Sequence, residues 1–365
     1  MLLRMLTSML VVMTFVLSAP SNASERFALV LSRGKYMLIE SMPLRIVDFG
    51  TLSWPGLMRV DGLPIENSPE NFLFIHQASF RPEDESGSIF QLHMDIVGGA
   101  NVFNVVRKIK PPGDRGLFRG AKMLGDKLFV EWDTERSLVA TVYDRSSSMD
   151  SPAKTIEGLP ISAGSCLVNE SVFSVRASNP IKVFEADLRT GNVRSDSIEK
   201  HLPQKLGVRL LVDARSCLAL IGDVDTSTGR EAYRARLTLV DIRDGSTVAQ
   251  YDVNSRADYR ILPATGTVLE LQKKIVPNEL PDGSTVGMRD EWTGHIRSMP
   301  IYDEAAWKEL VLEPGSRLIG VSPGESTAYM LNANGVLVEI SLNELKIDDT
   351  LRVPFSFAYL QFLGE

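Results

Sequence analysis

Val183-Phe184-Glu185-Ala186-Asp187-Leu188-Arg189-Thr190-Gly191 and Leu237-Thr238-Leu239-Val240-Asp241-Ile242-Arg243-Asp244-Gly245 are one phrase written twice. Each is a short strand with apolar residues at period two, then an Asp, then a turn with Gly. The Asp carboxylate can fold back onto the backbone N–H groups of the turn, and Gly takes the position with φ > 0. Weaker forms recur at Leu92-His93-Met94-Asp95, Thr141-Val142-Tyr143-Asp144 and Pro300-Ile301-Tyr302-Asp303. In Tyr36-Met37-Leu38-Ile39-Glu40-Ser41 and Val338-Glu339-Ile340-Ser341 a Ser replaces the Asp. The first and last of the seven markers lie 300 residues apart over six intervals, a mean of 50.

That spacing is in the range of β-propeller blades, roughly 40 to 50 residues each. The last repeat reads as one four-stranded blade. Its strands are Arg317 to Val321, Thr327 to Leu331, Val336 to Ile340 and Thr350 to Pro354, with an Asn334-Gly335 hairpin turn between the second and third. The alternative, a set of hairpins from a β-sandwich, does not accommodate seven markers along the whole chain. The first repeat is one strand short, having only Phe27 to Leu31, Lys35 to Glu40 and Leu44 to Phe49. A strand at Phe357 to Leu363 is left over at the other end. If it completes the first sheet, the ring closes and no edge is left open there. The expected fold is therefore all-β, a seven-bladed β-propeller of four-stranded blades closed by the C-terminal strand.

On these strand-Asp-turn-Gly phrases the chain resembles the broad seven-bladed propeller superfamily. That superfamily holds WD40-like, YVTN-type and quinoprotein amine dehydrogenase β-chain-like domains. The resemblance covers nearly all of residues 25 to 365. The Trp-Asp dipeptide of WD40 repeats occurs only at Trp132-Asp133, out of its usual place at the end of a third strand.

Residues 1 to 23 read as a cleavable signal peptide. Arg4 supplies the positive region and Met5 to Ala19 the apolar one. Ser21-Asn22-Ala23 places small residues before a cut that leaves Ser24 as the new N-terminus. The apolar run is short for a membrane span, which needs roughly 20 residues. The expectation is a secreted or periplasmic protein, with residues 24 to 365 forming a single propeller domain and no span after cleavage. The formal net charge of -7 repels phosphate backbones, so nucleic acid is not expected as a partner.

Ser165-Cys166-Leu167 and Ser216-Cys217-Leu218 are one tripeptide repeated 51 residues apart. They read as equivalent positions in adjacent blades, commonly beyond the roughly 7 Å that a disulfide spans. The expectation is two buried free thiols, with a bond near the central channel left open.

No catalytic residue, metal ligand set or cofactor is expected. His76, His93, His201 and His295 have no metal-ligand spacing, and there is no Cys-x-x-Cys, P-loop or G-x-S-x-G. Asp223 to Gly229 resembles a calcium loop, but its Gly is one place late and Arg234 stands where the terminal Glu belongs. The candidate binding residues are instead in three long links between second and third strands. These links carry Glu83, Asp84 and Glu85, then Asp223, Asp225 and Glu231, then Glu279 and Asp282. All such links emerge on one face of a propeller, and loops on a rigid scaffold are where binding sits. They are expected to form an acidic rim for a basic protein partner, a cation or a small ligand. Trp292, beside Arg289, Asp290 and Glu291, is a further candidate contact or else a packed ring with a solvated flank.

The function expected is that of an exported binding or scaffold protein. Two alternatives remain open from sequence. One is a cofactor-free propeller subunit of an exported redox complex, as the amine dehydrogenase resemblance implies. The other is a propeller hydrolase or lyase whose site assembles from separate blades.

Overall fold

In the computed structural model the described residues are 26–30, 35–41, 43–51, 62–64, 73–77, 89–97, 100–112, 116–144, 151–161, 164–176, 178, 181–197, 209–225, 234–253, 256–280, 284–302, 307–354 and 359–362. Within 26–36 and 51–108 the description is of backbone strands alone.

Every described element is a β-strand or a turn. Sheet 1 holds β1 (Arg26–Val30), β2 (Lys35–Glu40), β3 (Arg45–Thr51) and β28 (Tyr359–Phe362), in the order β28-β1-β2-β3. Sheet 2 holds β4 (Gly62–Pro64), β5 (Leu73–Gln77), β6 (Ile89–Val97) and β7 (Ala100–Ile109). Sheet 3 holds β8 (Gly116–Leu124), β9 (Lys127–Thr134), β10 (Leu138–Asp144) and β11 (Lys154–Glu157). Sheet 4 holds β12 (Ser165–Val168), β13 (Ser171–Arg176), β14 (Lys182–Asp187) and β15 (Val193–Ser197). Sheet 5 holds β16 (Arg209–Val212), β17 (Leu218–Asp225), β18 (Arg234–Asp241) and β19 (Thr247–Val253). Sheet 6 holds β20 (Arg256–Leu262), β21 (Thr267–Glu279), β22 (Thr285–Pro300) and β23 (Lys308–Val311). Sheet 7 holds β24 (Arg317–Val321), β25 (Thr327–Leu331), β26 (Val336–Ser341) and β27 (Lys346–Arg352). All pairings are antiparallel, and β28 pairs with β1 through Phe27↔Phe362 to Val30↔Tyr359.

The turn chemistry explains where the third strands stop. Asp187 Oδ1 accepts the N–H of Arg189 at 2.7 Å and of Thr190 at 3.3 Å. Asp241 Oδ1 accepts the N–H of Arg243 at 2.9 Å. Gly191 and Gly245 close these turns at φ 79° and 74°, where a Cβ is disfavoured. One of the seven markers needs correction and one is untested. Asp95 lies inside β6, paired with Val102, and does not end it. Asp303 lies outside the described residues.

Alternate residues of one strand serve two different interfaces, because each sheet is covered on both faces. In β9, Leu128, Val130 and Trp132 pack with Ile109 of sheet 2, whereas Phe129 packs toward sheet 4 with Val172 and Ala186. In β25, Ala328 and Met330 face sheet 6, whereas Tyr329 and Leu331 face sheet 1. Trp132 is fully buried and its Nε1 donates to Thr141 Oγ1 at 2.9 Å. Truncating so large a buried ring costs about 3–5 kcal/mol. Between neighbouring sheets the strands that meet are β8 with β12, β16 with β20, and β24 with β28. Each is an edge strand of its sheet, the first in chain order in every case but β28, so these strands form the inner edge.

The described core is therefore a succession of six packed interfaces, from sheet 2 through sheets 3 to 7 and on to sheet 1. A seventh, between sheets 1 and 2, lies outside the described residues, and Ile109 is the one residue of sheet 2 whose side chain is described in the core. The sheets are also unequal, β4 having 3 residues and β22 having 16. This corrects the expectation of a seven-bladed propeller of equivalent four-stranded blades closed into a wheel. The fold is all-β and propeller-like, with its described packed core carried by six antiparallel sheets.

The cysteine expectation is also corrected. Cys166 and Cys217 form a disulfide, with Cα atoms 5.3 Å apart. The repeated tripeptide does not mark equivalent positions. Cys166 lies within β12, the first strand of sheet 4, whereas Cys217 closes the turn before β17 at φ 61°. The bond thus joins the inner strand of one sheet to the turn of the next. Beside it Gly164 lies so close to the Val212 side chain that a Cβ would collide.

Candidate functional site

Antiparallel strand order puts the links between second and third strands at one end of each sheet. The three long acidic links all have this position, between β5 and β6, β17 and β18, and β21 and β22. Glu83, Asp84, Glu85, Glu231 and Asp282 lie outside the described residues. Asp223 and Asp225 are placed by backbone on β17, in register with Arg236 and Arg234 of β18. Glu279 ends β21 opposite Thr285.

Trp292 is half-buried at the base of the longest hairpin and packs against the core between sheets 6 and 7. Lys273 Nζ sits 3.9 Å from its ring centroid, a cation–π contact that occupies one face. Lys273 also pairs with Asp258 at 2.8 Å. β20 follows β21 only as far as Lys273, and β23 follows β22 only across His295 to Ser298. Beyond Lys273 and Trp292 the two strands pair with each other alone, as a ribbon with Val286 and Met288 exposed.

The same end holds a feature that sequence reasoning missed. A cavity of about 500 Å³ lies where the short β9–β10 turn of sheet 3 faces sheet 4. Its wall includes Arg119, Glu131, Asp133, Glu135, Arg136 and Arg176. Arg119 on β8 forms an ion pair with Asp133 on β9. Glu131 is buried, and its Oε2 accepts the N–H of Ile161 in the connection from sheet 3 to sheet 4. Arg136 in the turn and Arg176 at the end of β13 are exposed. No motif announces this set, because its members are drawn from β8, β9, a tight turn and the neighbouring sheet.

The opposite end is built from turns between first and second strands. The turn before β17 is held by Asp213, whose Oδ2 accepts the N–H of Ser216 at 2.7 Å. From this turn Arg215 Nη1 donates to the Pro323 carbonyl at 2.6 Å. Glu325 Oε2 accepts the N–H of Ala264 at 2.7 Å. Burial pushes the Glu325 carboxyl above its ordinary range and nearby Asp213 adds to this, while the Ala264 bond and Arg215 pull the other way.

Among the described residues no group of three or more His, Cys, Asp and Glu could hold a metal ion. No helix among them is long and apolar enough to cross a membrane.

Comparison with solved structures agrees with the architecture. Hsv2p of Kluyveromyces lactis superposes with a TM-score of 0.50 at 8% identity, covering 90% of this chain and 96% of that one. AztD of Citrobacter koseri gives a TM-score of 0.49 at 9% identity, covering 92% of this chain and 97% of that one. At such identities the likeness concerns the fold alone. No protein-family model matches the chain, and no curated protein matches it by sequence.

Proposed function

We propose that the protein is exported and acts as a binding or scaffold protein, capturing a partner at the end that carries the links between second and third strands. The observation that carries this reading is topological. All three long acidic links join second and third strands, and on this reading Glu83, Asp84, Glu85, Asp223, Asp225, Glu231, Glu279 and Asp282, within or beside those links, would meet a partner from one side. Opposite charge gathered on one side steers a basic partner and sets which partner is accepted. The Cys166–Cys217 disulfide supports export, because such bonds persist in oxidising compartments and are rare in the cytosol. It is independent of the apolar leader at residues 1 to 23, so two unrelated features lead to the same location.

The test is co-purification of the native protein from its own source, repeated with Glu83→Lys, Asp84→Lys and Glu85→Lys combined. The expected result is a specific companion that the triple variant no longer retains. Undiminished retention by the variant would reject the acidic rim. Export is checked by fractionation and N-terminal sequencing, with Ser24 expected as the first residue of the mature chain.

A further inference from the structure

We infer that the cavity between sheets 3 and 4 binds a carboxylate group, offered by a peptide C-terminus or a small free acid. Two of the acidic groups in its wall are already engaged. Asp133 is engaged by Arg119, and Glu131 is turned inward to hold the backbone of Ile161. The guanidinium groups of Arg136 and Arg176 make no hydrogen bond or ion pair with any described residue, and they reach the cavity from two different sheets. Arg136 and Arg176 therefore remain as two guanidinium arms available to a ligand, although the charged side chains of the wall balance, three Arg against Glu131, Asp133 and Glu135.

Planar guanidinium groups present paired N–H donors that match a carboxylate, and such charge-assisted bonds are the strong ones. A space of about 500 Å³ is in the range of small-ligand sites. The wall also selects among anions. Glu131, Asp133 and Glu135 line the same space, so a doubly charged phosphate meets more repulsion than a single carboxylate does. This site stands whether or not the acidic links engage a partner, since none of their residues takes part.

Calorimetric titration of the purified protein at low salt tests the inference. Four probes are compared: a short peptide with a free C-terminal carboxylate, the same peptide amidated, succinate and inorganic phosphate. Saturable binding of the free-acid peptide but not the amidated one supports the site, with a peptide end as the source. Saturable binding of succinate supports it with a small acid as the source. In either case Arg136→Gln and Arg176→Gln should each weaken binding by about tenfold or more. Both residues are exposed, so unchanged melting temperatures separate lost contacts from lost folding. The inference is overturned if neither carboxylate binds, if binding survives both substitutions, or if phosphate binds more tightly than either carboxylate.

Discussion

Arg215 Nη1 donates to the carbonyl oxygen of Pro323 at 2.6 Å, joining sheet 5 to sheet 7 past the intervening sheet 6. Glu325 completes the link. Its carboxylate lies 3.8 Å from the same Nη1 and accepts the N–H of Ala264 from sheet 6. Its backbone is left-handed at φ 56°, a conformation in which the corresponding turns use Gly125, Asn169 and Gly266. A Glu there is strained, and that strain is tolerated where side-chain contacts fix the turn. Arg215 and Cys217 occupy one turn, which therefore contacts sheets 4 and 7 at once. Arg215→Ala should lower unfolding stability by about 1 kcal/mol, discounted for the exposure of the guanidinium. Urea denaturation reads this as a lower midpoint with unchanged slope.

Two carboxyl groups should show opposite pH signatures. Glu325 has its folded value raised, chiefly by burial, so the folded state holds the proton more tightly than the unfolded chain does. Its contribution is best at low pH and is lost as pH rises above the ordinary value of 4.5. Asp187 has its value lowered, chiefly by the bond from the Arg189 N–H. Its contribution is present above 3.8 and is lost as pH falls through the folded value. Stability measured across the acid range should therefore fall less steeply with rising pH in Glu325→Gln than in the parent. It should fall less steeply with dropping pH in Asp187→Asn.

Glu270 is fully buried and accepts from Arg297 Nε at 2.7 Å, while the Arg297 guanidinium lies 4.8 Å from the centre of the Trp307 ring. Removing Arg297 takes the cation away from a buried carboxylate. Arg297→Leu should cost about 3–5 kcal/mol. The double replacement Glu270→Leu with Arg297→Leu should recover much of that, because no bare charge remains. Chemical denaturation of the two single variants and the double variant measures the coupling.

The Cys166–Cys217 bond closes a loop with a sequence separation of 51. Replacing both residues by Ala should cost about 2–4 kcal/mol. Melting curves of the parent with and without reductant should bracket the curve of the double variant. Coincident curves with and without reductant would mean that the bond adds nothing to stability.

Local chemistry was legible in the sequence and spatial convergence was not. The Asp187 and Asp241 turns, the Asn334-Gly335 hairpin and the strand at Thr327–Leu331 follow from rules spanning a few residues. So does the surplus strand at the C-terminus, which pairs with β1. The cysteines misled because a shared tripeptide says nothing about its place in a sheet when hairpin lengths differ. One copy lies in a strand and the other in the turn before a strand. Arg119, Arg136 and Arg176 carried no signal, since their meeting depends on two sheets facing each other. Trp292 was readable as an aromatic among charges, but its cover by Lys273 depends on the register of β21 against β22.

The pairing of Phe27 with Phe362 has a consequence for how the molecule comes into being. Strand β1 is made long before β28, so at first it is paired on one side only, with β2. Until then its outer row of N–H and C=O groups is free to recruit a stranger, the circumstance in which intertwined dimers and aggregates start. Deletion of β28 would make that vulnerable interval permanent.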